Sequence, residues 1–187
     1  MAEFKTAFAN TSESEGGYVH DPSDAGGETY RGVSRRYNPA WSGWEIIDAA
    51  KASQQFPKNL DDDHVLQLSV ETFYRAIWIR LKGDEIASQV IADELFDAAV
   101  NPGERLAVAF LQNALNSLNK NQKLWHDQPV DGQIGPRTLS ALDAASGDSA
   151  LVAKVQKILR ANYFIGRMMK DPRKEKYARG WLDRLEL

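Results

Sequence analysis

Gly16-Gly17 separates two periodicities at the start of this chain, and that change constrains the fold more than any other feature. Upstream, Phe4, Phe8, Ser12 and Glu15 recur at i, i+4, i+8 and i+11, one face of an α-helix. Glycine tolerates the left-handed backbone that comes after a helix C-terminus, so the pair is the expected stop. Downstream, Tyr18, Val19, Thr29, Tyr30 and Val33 suit short strands around a turn at Gly26-Gly27, with a second turn at Asp21-Pro22. The spacing predicts a helix ending at Glu15, followed at once by a small β-hairpin, or β-wing, over residues 18–34.

Beyond Pro39 the pattern is helical. Short apolar helix 44–52 precedes a longer one, capped by Asp61-Asp62-Asp63 and running to about Lys82, with Val65, Leu68, Phe73, Ile77 and Trp78 mostly inward. A helix is expected from Asp84 to Val100, broken by Asn101-Pro102-Gly103, and another from Glu104 to about Leu118. Val130 to Gly135 reads as a tight turn, and Pro136 starts the next helix, where its missing N–H costs nothing. Two helices, roughly 149–170 and 173–184, close the chain. The fold class is mainly α with one small β element. The expected organisation is a single compact unit over 1–187, with a catalytic part at 5–95 and a helical part at 96–187.

Composition excludes several classes. There is no cysteine, hence no disulfide and no thiolate metal site. His20, His64 and His126 lack zinc-protease spacing, and the acids at 21, 24 and 28 do not follow a calcium loop, so no metal or other cofactor is expected. No phosphate loop or nucleophile elbow appears, and no nucleic-acid partner is implied. No apolar run is long enough for stable membrane insertion, and the N-terminus has no secretory pattern. Residues 151–187 carry ten Lys/Arg against four acids, net +6, while the remainder carries −9. Such a segment suits an anionic polymer or is simply a solvated helix face. No heptad repeat is long enough to read a coiled coil, and the oligomeric state is left open.

The chemistry-bearing residues cluster around the glycine pair. Glu15 is expected to face inward as the last residue of its helix. Partial burial disfavours its anion, and the negative helix end does so again, by about 0.3–1 kcal/mol. A glutamic acid kept protonated near neutral pH is a suitable general acid; the alternative is a glutamate fraying at an exposed helix end. The hairpin adds a second carboxylate, Asp24, and a hydroxyl, Thr29. Two carboxyl groups of unlike surroundings across a cleft are the set that glycosidic-bond hydrolysis requires. Asp21 and Glu28 are rival acids; Asp21 precedes Pro22 and suits a turn, and strand alternation turns Glu28 away from Thr29 and Glu15. Tyr30 and Trp44 are the aromatic candidates for sugar contact, the five tryptophans being otherwise core anchors. Asp97 and Asn101, one helical turn apart, can face one cleft, or Asn101 can turn the chain before Pro102.

The run Glu15-Gly16-Gly17-Tyr18, Asp21-Pro22, Asp24, Gly26-Gly27, Thr29, Gly32-Val33-Ser34 resembles the signature of the glycoside hydrolase family 108 muramidases, endolysin-like enzymes of the lysozyme-like superfamily. Phe110 to Asn116, Val130 to Leu139 and Gly180 to Arg184 resemble the peptidoglycan-binding region that accompanies that family. The resemblance implies a lysozyme-like helical fold and cleavage of the β-1,4 bond between N-acetylmuramic acid and N-acetylglucosamine. It places the catalytic glutamate at Glu15. Asp24 and Thr29 are similar in placement to the aspartate and threonine that serve the opposite face of the sugar in phage-type lysozymes. Asn101 would hold an acetamido group. Relatives include phage endolysins and muramidases that assist export of toxins or enzymes. The expected partner is therefore peptidoglycan, reached after export or release from the cytoplasm with help the sequence does not show. A non-catalytic wall-binding or secretion-assisting module and a lytic transglycosylase are the alternatives.

Overall fold

The structure, a computed structural model, describes residues 1–12, 16–20 and 27–185. Among these residues lie eight α-helices and a three-stranded antiparallel sheet in the order β1-β2-β3, so the chain is mainly α. The helices are α1 (Phe4–Ser12), α2 (Gly43–Ala50), α3 (His64–Arg80), α4 (Gln89–Val100), α5 (Glu104–Leu118), α6 (Pro136–Ala144), α7 (Ser149–Lys170) and α8 (Ala178–Asp183). The strands, β1 (Tyr18–His20), β2 (Glu28–Tyr30) and β3 (Val33–Ser34), come directly after the first helix. Contacts divide the chain into two compact units, residues 8–76 and residues 1–7 with 77–187.

In the 8–76 unit, β1 and β2 pair with Tyr18 opposite Tyr30, Val19 opposite Thr29 and His20 opposite Glu28. Strands β2 and β3 are joined by Arg31-Gly32, both at positive φ (42° and 78°). Two central residues at positive φ match a tight hairpin's backbone to the strand twist. Tyr30 fixes this sheet to α3 and the segment before it. Its ring is fully buried, and its hydroxyl donates to Leu60 O (3.3 Å) and accepts from Gln67 Nε2 (2.9 Å). Tyr74 Oη donates to Arg31 O at 2.7 Å, a second tie from α3 to the hairpin.

Helix α3 is capped as expected at its aspartates, Asp63 Oδ1 accepting from Leu66 N at 2.9 Å. Its inward row agrees with the one expected at Ile77 and Trp78, both buried, and departs from it at Val65 and Leu68. Leu66, Val70 and Tyr74 are buried at steps of four, whereas Val65 and Leu68 are 65% and 62% exposed. Apolar residues on both sides of this helix left its phase open to pattern reading, and the ties at Tyr74 and Gln67 set it.

The 1–7/77–187 unit is built on α4, α5 and α7, which pack against one another in pairs. The line between sub-regions drawn from sequence at 95/96 thus falls inside α4. Phe4, Trp78 and Phe96 meet edge to face with centroids 5.7–6.0 Å apart. The helix expected from Asp84 begins instead at Gln89. Gly83 to Glu85 form a 3₁₀ turn, Ile86 is extended and buried, and its carbonyl accepts from Ala2 N at 2.8 Å. Trp78 forces that break, because its Nε1 donates to Asp84 Oδ1 (2.7 Å) and its ring fills the space at Gly83. A Cβ at Gly83 would stand 2.2–2.5 Å from the indole. Gly83→Ala is therefore expected to destabilise by about 1–3 kcal/mol in urea unfolding, as overpacked sites do.

The turn before α6 is held by buried Gln112. Its Nε2 donates to Asp131 Oδ1 (2.8 Å) and Gln133 O (3.0 Å), and its Oε1 accepts from Gly132 N (3.0 Å). Pro136 opens α6, as expected. The last expected helix is split: a 3₁₀ segment at Pro172–Tyr177 precedes the short α8.

Candidate active site

Of the sequence-predicted catalytic residues, Glu15 and Asp24 lie outside the described residues, as does Asp21. Thr29 is described. It sits half-buried in the middle of β2, opposite Val19. Its hydroxyl donates to Gly27 O at 3.5 Å, too long to hold it firmly.

Next to it in sequence, on the other face of the strand, Glu28 is held firmly. Tyr18 Oη donates to Glu28 Oε1 at 2.8 Å, and Lys51 Nζ lies 2.7 Å from the same oxygen. Arg35 Nε stands 2.8 Å from Glu28 Oε2, in charge contact but off the hydrogen-bond axis. Asp48 completes the group, receiving Arg35 Nη1 and Nη2 at 2.9 and 2.8 Å and Lys51 Nζ at 2.8 Å. Partial burial pushes the Glu28 carboxyl up, but the bonds from Lys51 and Tyr18 and the charge of Arg35 outweigh it and leave it below its ordinary value. Hydrogen bonds from Arg35, then Lys51, hold Asp48 at about 2. Glu28 is thus a fixed anion that ties β2 to α2, unsuited to proton transfer near neutral pH. This network was missed as such in the sequence: Lys51 and Asp48 are three residues apart on a predicted helix, but nothing local points them at residue 28.

Its consequence is measurable. A carboxylate held below its ordinary value of 4.5 contributes stability above that pH and loses it as the pH falls through the lower, folded value. Glu28→Gln is expected to lower stability by about 1–3 kcal/mol at pH 7, the range for hydrogen bonds to charged groups. The gap to the native protein should narrow below about pH 4.5 in thermal unfolding. A gap independent of pH would show that the charge does not hold the strand.

Trp44 and Tyr30, the aromatic candidates, are both enclosed in this unit. Trp44 is 3% exposed, its Nε1 donates to Asn38 O (2.8 Å), Trp41 meets it edge-on at 5.0 Å, and the Arg35 guanidinium lies 4.5 Å over its ring. The same unit bears an open cavity of about 460 Å³ lined by Gln54, Gln55, Phe56, Pro57, Lys58, Asn59 and Asp62. Phe56 on its wall meets the Tyr18 ring of β1 at 4.7 Å.

Asp97 and Asn101 belong to the other unit. Asn101 is the half-buried C-cap of α4. Asp97 Oδ2 accepts from Arg160 Nη1 at 2.5 Å. Arg160, 1% exposed on α7, also reaches Glu94, with Nη2 donating to Oε2 at 3.3 Å and Nε 3.3 Å from Oε1. Burial raises Glu94 to about 7; Arg160 pulls it down, and the Asp97 charge pushes it up again. A sequence signal for this triad existed. Gln156 and Arg160 are the polar members of the row Val152, Gln156, Arg160, Phe164, which forms the inward face of α7.

Among the described residues no group of His, Cys, Asp or Glu is placed to hold a metal ion, and no helix is long and apolar enough to cross a membrane.

Comparison with known proteins bears on the whole chain. No curated protein matches it. The solved structure of Brucella abortus SagA is similar in fold, with 23% identity over 97% of this chain and 88% of that one, at a TM-score of 0.64. Residues 106–186 match a model described as a predicted peptidoglycan domain. Residues 8–103, just over half of the chain and including Glu15, Asp24, Thr29 and Asn101, match the model of glycosyl hydrolase 108. The chain belongs to the glycosyl hydrolase 108 family and is a glycoside hydrolase.

Proposed function

We propose that the chain is an N-acetylmuramidase that hydrolyses the β-1,4 bond between N-acetylmuramic acid and N-acetylglucosamine in peptidoglycan. The observation that carries this reading is the run from Glu15 to Ser34, which holds an acid, a second acid and a hydroxyl inside the stretch matched by the glycosyl hydrolase 108 model. The predicted peptidoglycan domain at 106–186 supports the wall as substrate.

In the proposed reaction, Glu15 gives its proton to the glycosidic oxygen as the bond to the anomeric carbon breaks. Asp24 and Thr29 hold a water on the opposite face of the sugar. The water adds to the anomeric carbon and its proton passes to Asp24, so the acid and base are reset by exchange with solvent. This route inverts configuration and needs the two carboxyl groups about 6.5–9.5 Å apart. Asn101 takes the acetamido group. Asp97, bonded to the buried Arg160, would act by holding the end of α4 that carries Asn101. Tyr30 and Trp44 enter as the packing that holds the wing, on the strength of their burial. The enzyme would be made in the cytoplasm and act on the wall after release or export, as endolysins and secretion-associated muramidases do.

The test is chemical. Purified peptidoglycan incubated with the protein should gain reducing ends in proportion to time and enzyme. Binding to the sacculus with no new reducing ends would instead identify a wall-binding module without catalysis.

A further inference from the structure

Helix α7 is apolar on two opposite faces. One, with Val152, Ala153, Ala161 and Phe164, is buried within its unit. The other carries Leu151, Val155, Ile158, Ile165 and Met169, with the polar, exposed Asn162 between Ile158 and Ile165; the six fall at alternating steps of four and three. Those steps keep the residues on one line along a helix, for about 27 Å at 1.5 Å per residue. The line is open to solvent: Leu151, Ile158 and Ile165 are 45%, 48% and 43% exposed, and Met169 is 80% exposed. A helix with a second apolar face has a second burial to make, and four exposed apolar side chains on one line, broken at Asn162, mark an interaction surface.

Charge narrows the choice of occupant. Helix α7 contains Lys154, Lys157, Arg160, Arg167 and Lys170 and no acid. Arg160 is taken by Glu94 and Asp97, and Arg167 lies over the rings of Tyr163 and Trp181. Lys154 and Lys170 flank the apolar line on opposite sides, near its two ends. A second copy laid on this line brings no acid from α7 to meet those lysines. Glycan strands offer no apolar counterpart to Leu151, Ile158 or Met169.

We propose that this face of α7 adsorbs to an anionic lipid surface, its apolar line entering the acyl boundary while Lys154 and Lys170 meet the phosphate headgroups. Long lysine stems suit this arrangement, since they lie along apolar surface and keep the charge at the interface. The net +6 of residues 151–187, the segment that holds α7, adds to the attraction to an anionic surface. The proposal stands independently of the muramidase reading.

The test is co-sedimentation of the full chain with vesicles of equimolar phosphatidylcholine and phosphatidylglycerol, and with phosphatidylcholine alone. Binding is expected on the mixed vesicles and to weaken with salt. The doublet Ile158→Gln/Ile165→Gln should lower affinity at least about tenfold. Lys154→Gln/Lys170→Gln should lower it several-fold and flatten the salt dependence. Both doublets change exposed side chains, so the native unfolding temperature should be kept. Absence of binding by the parent protein would overturn the proposal, as would equal binding by the isoleucine doublet. A dimer in light scattering that the isoleucine doublet splits, with no vesicle binding, would also overturn it and assign the face to a second copy.

Discussion

Glu15→Gln is expected to lower the clearing of purified peptidoglycan by about 10²–10⁴-fold, the usual contribution of a positioned general acid. Glutamine keeps the size and the hydrogen-bonding reach of glutamic acid but has no proton to give to the leaving oxygen. The loss should therefore fall on kcat, with KM for the wall little changed, because the remaining contacts to the glycan stay in place. The alkaline limb of the activity profile, where the acid would lose its proton, should disappear from whatever activity is left. Asp24→Asn should be impaired on the same substrate, since it removes the acceptor for the water's proton. Glu28→Gln provides the contrast. It unties β2 from α2 and costs stability, but at a temperature where it is folded it should keep most of its activity. Equal clearing by the native protein and Glu15→Gln would move the catalytic acid elsewhere.

The second large effect belongs to stability. Arg160→Met should destabilise the protein by about 3–5 kcal/mol, the range for removing one partner of a buried ion pair. Arg160 is 1% exposed, and its guanidinium is the charged group that reaches both Glu94 and Asp97. Without it the buried Glu94 and the partly buried Asp97 lose the guanidinium that bridges them. The effect has a predictable pH dependence. Burial raises Glu94 to about 7 in the folded protein, above its ordinary value of 4.5. A carboxyl raised on folding contributes stability that is full below 4.5 and is lost as the pH rises through about 7. Removing Arg160 raises Glu94 further, so the variant should suffer more at pH 8 than at pH 5, where the carboxyl takes a proton in either protein. Urea unfolding at the two pH values measures this directly. A penalty below about 1 kcal/mol, or one equal at both, would mean that water reaches the triad.

The contrast between these two sites shows what a sequence of this kind exposes. The glycine pair after Phe4, Phe8 and Ser12, the strand residues of the wing and the Pro136 start are local signals, and the structure has helices and strands at those places. Residues whose roles depend on distant partners were not legible. Val65 and Leu68 look inward by composition, yet α3 is rotated by the hydrogen bonds of Gln67 and Tyr74 to the wing. Asp84 looks like a helix start, yet the Trp78 ring needs the space at Gly83 and takes Asp84 as its acceptor. Glu28 is one acid among several in the sequence, and only the fold brings Lys51 and Arg35 beside it. Asp97 reads as a cleft residue, and its partner Arg160 is 63 positions away. The candidate acids stand out by their residue types and their order around the glycine pair, which is a pattern of chemistry more than of packing.

The identity of the sugar at each newly made chain end tests the central claim most directly. Peptidoglycan digested with the native protein is reduced with borohydride and hydrolysed, so that each new reducing end is marked as its sugar alcohol. Hydrolysis by a muramidase predicts muramitol, with fragment masses that include one added water per cut. Glucosaminitol in its place, or fragments lighter by that water and ending in an anhydro ring, would contradict the account.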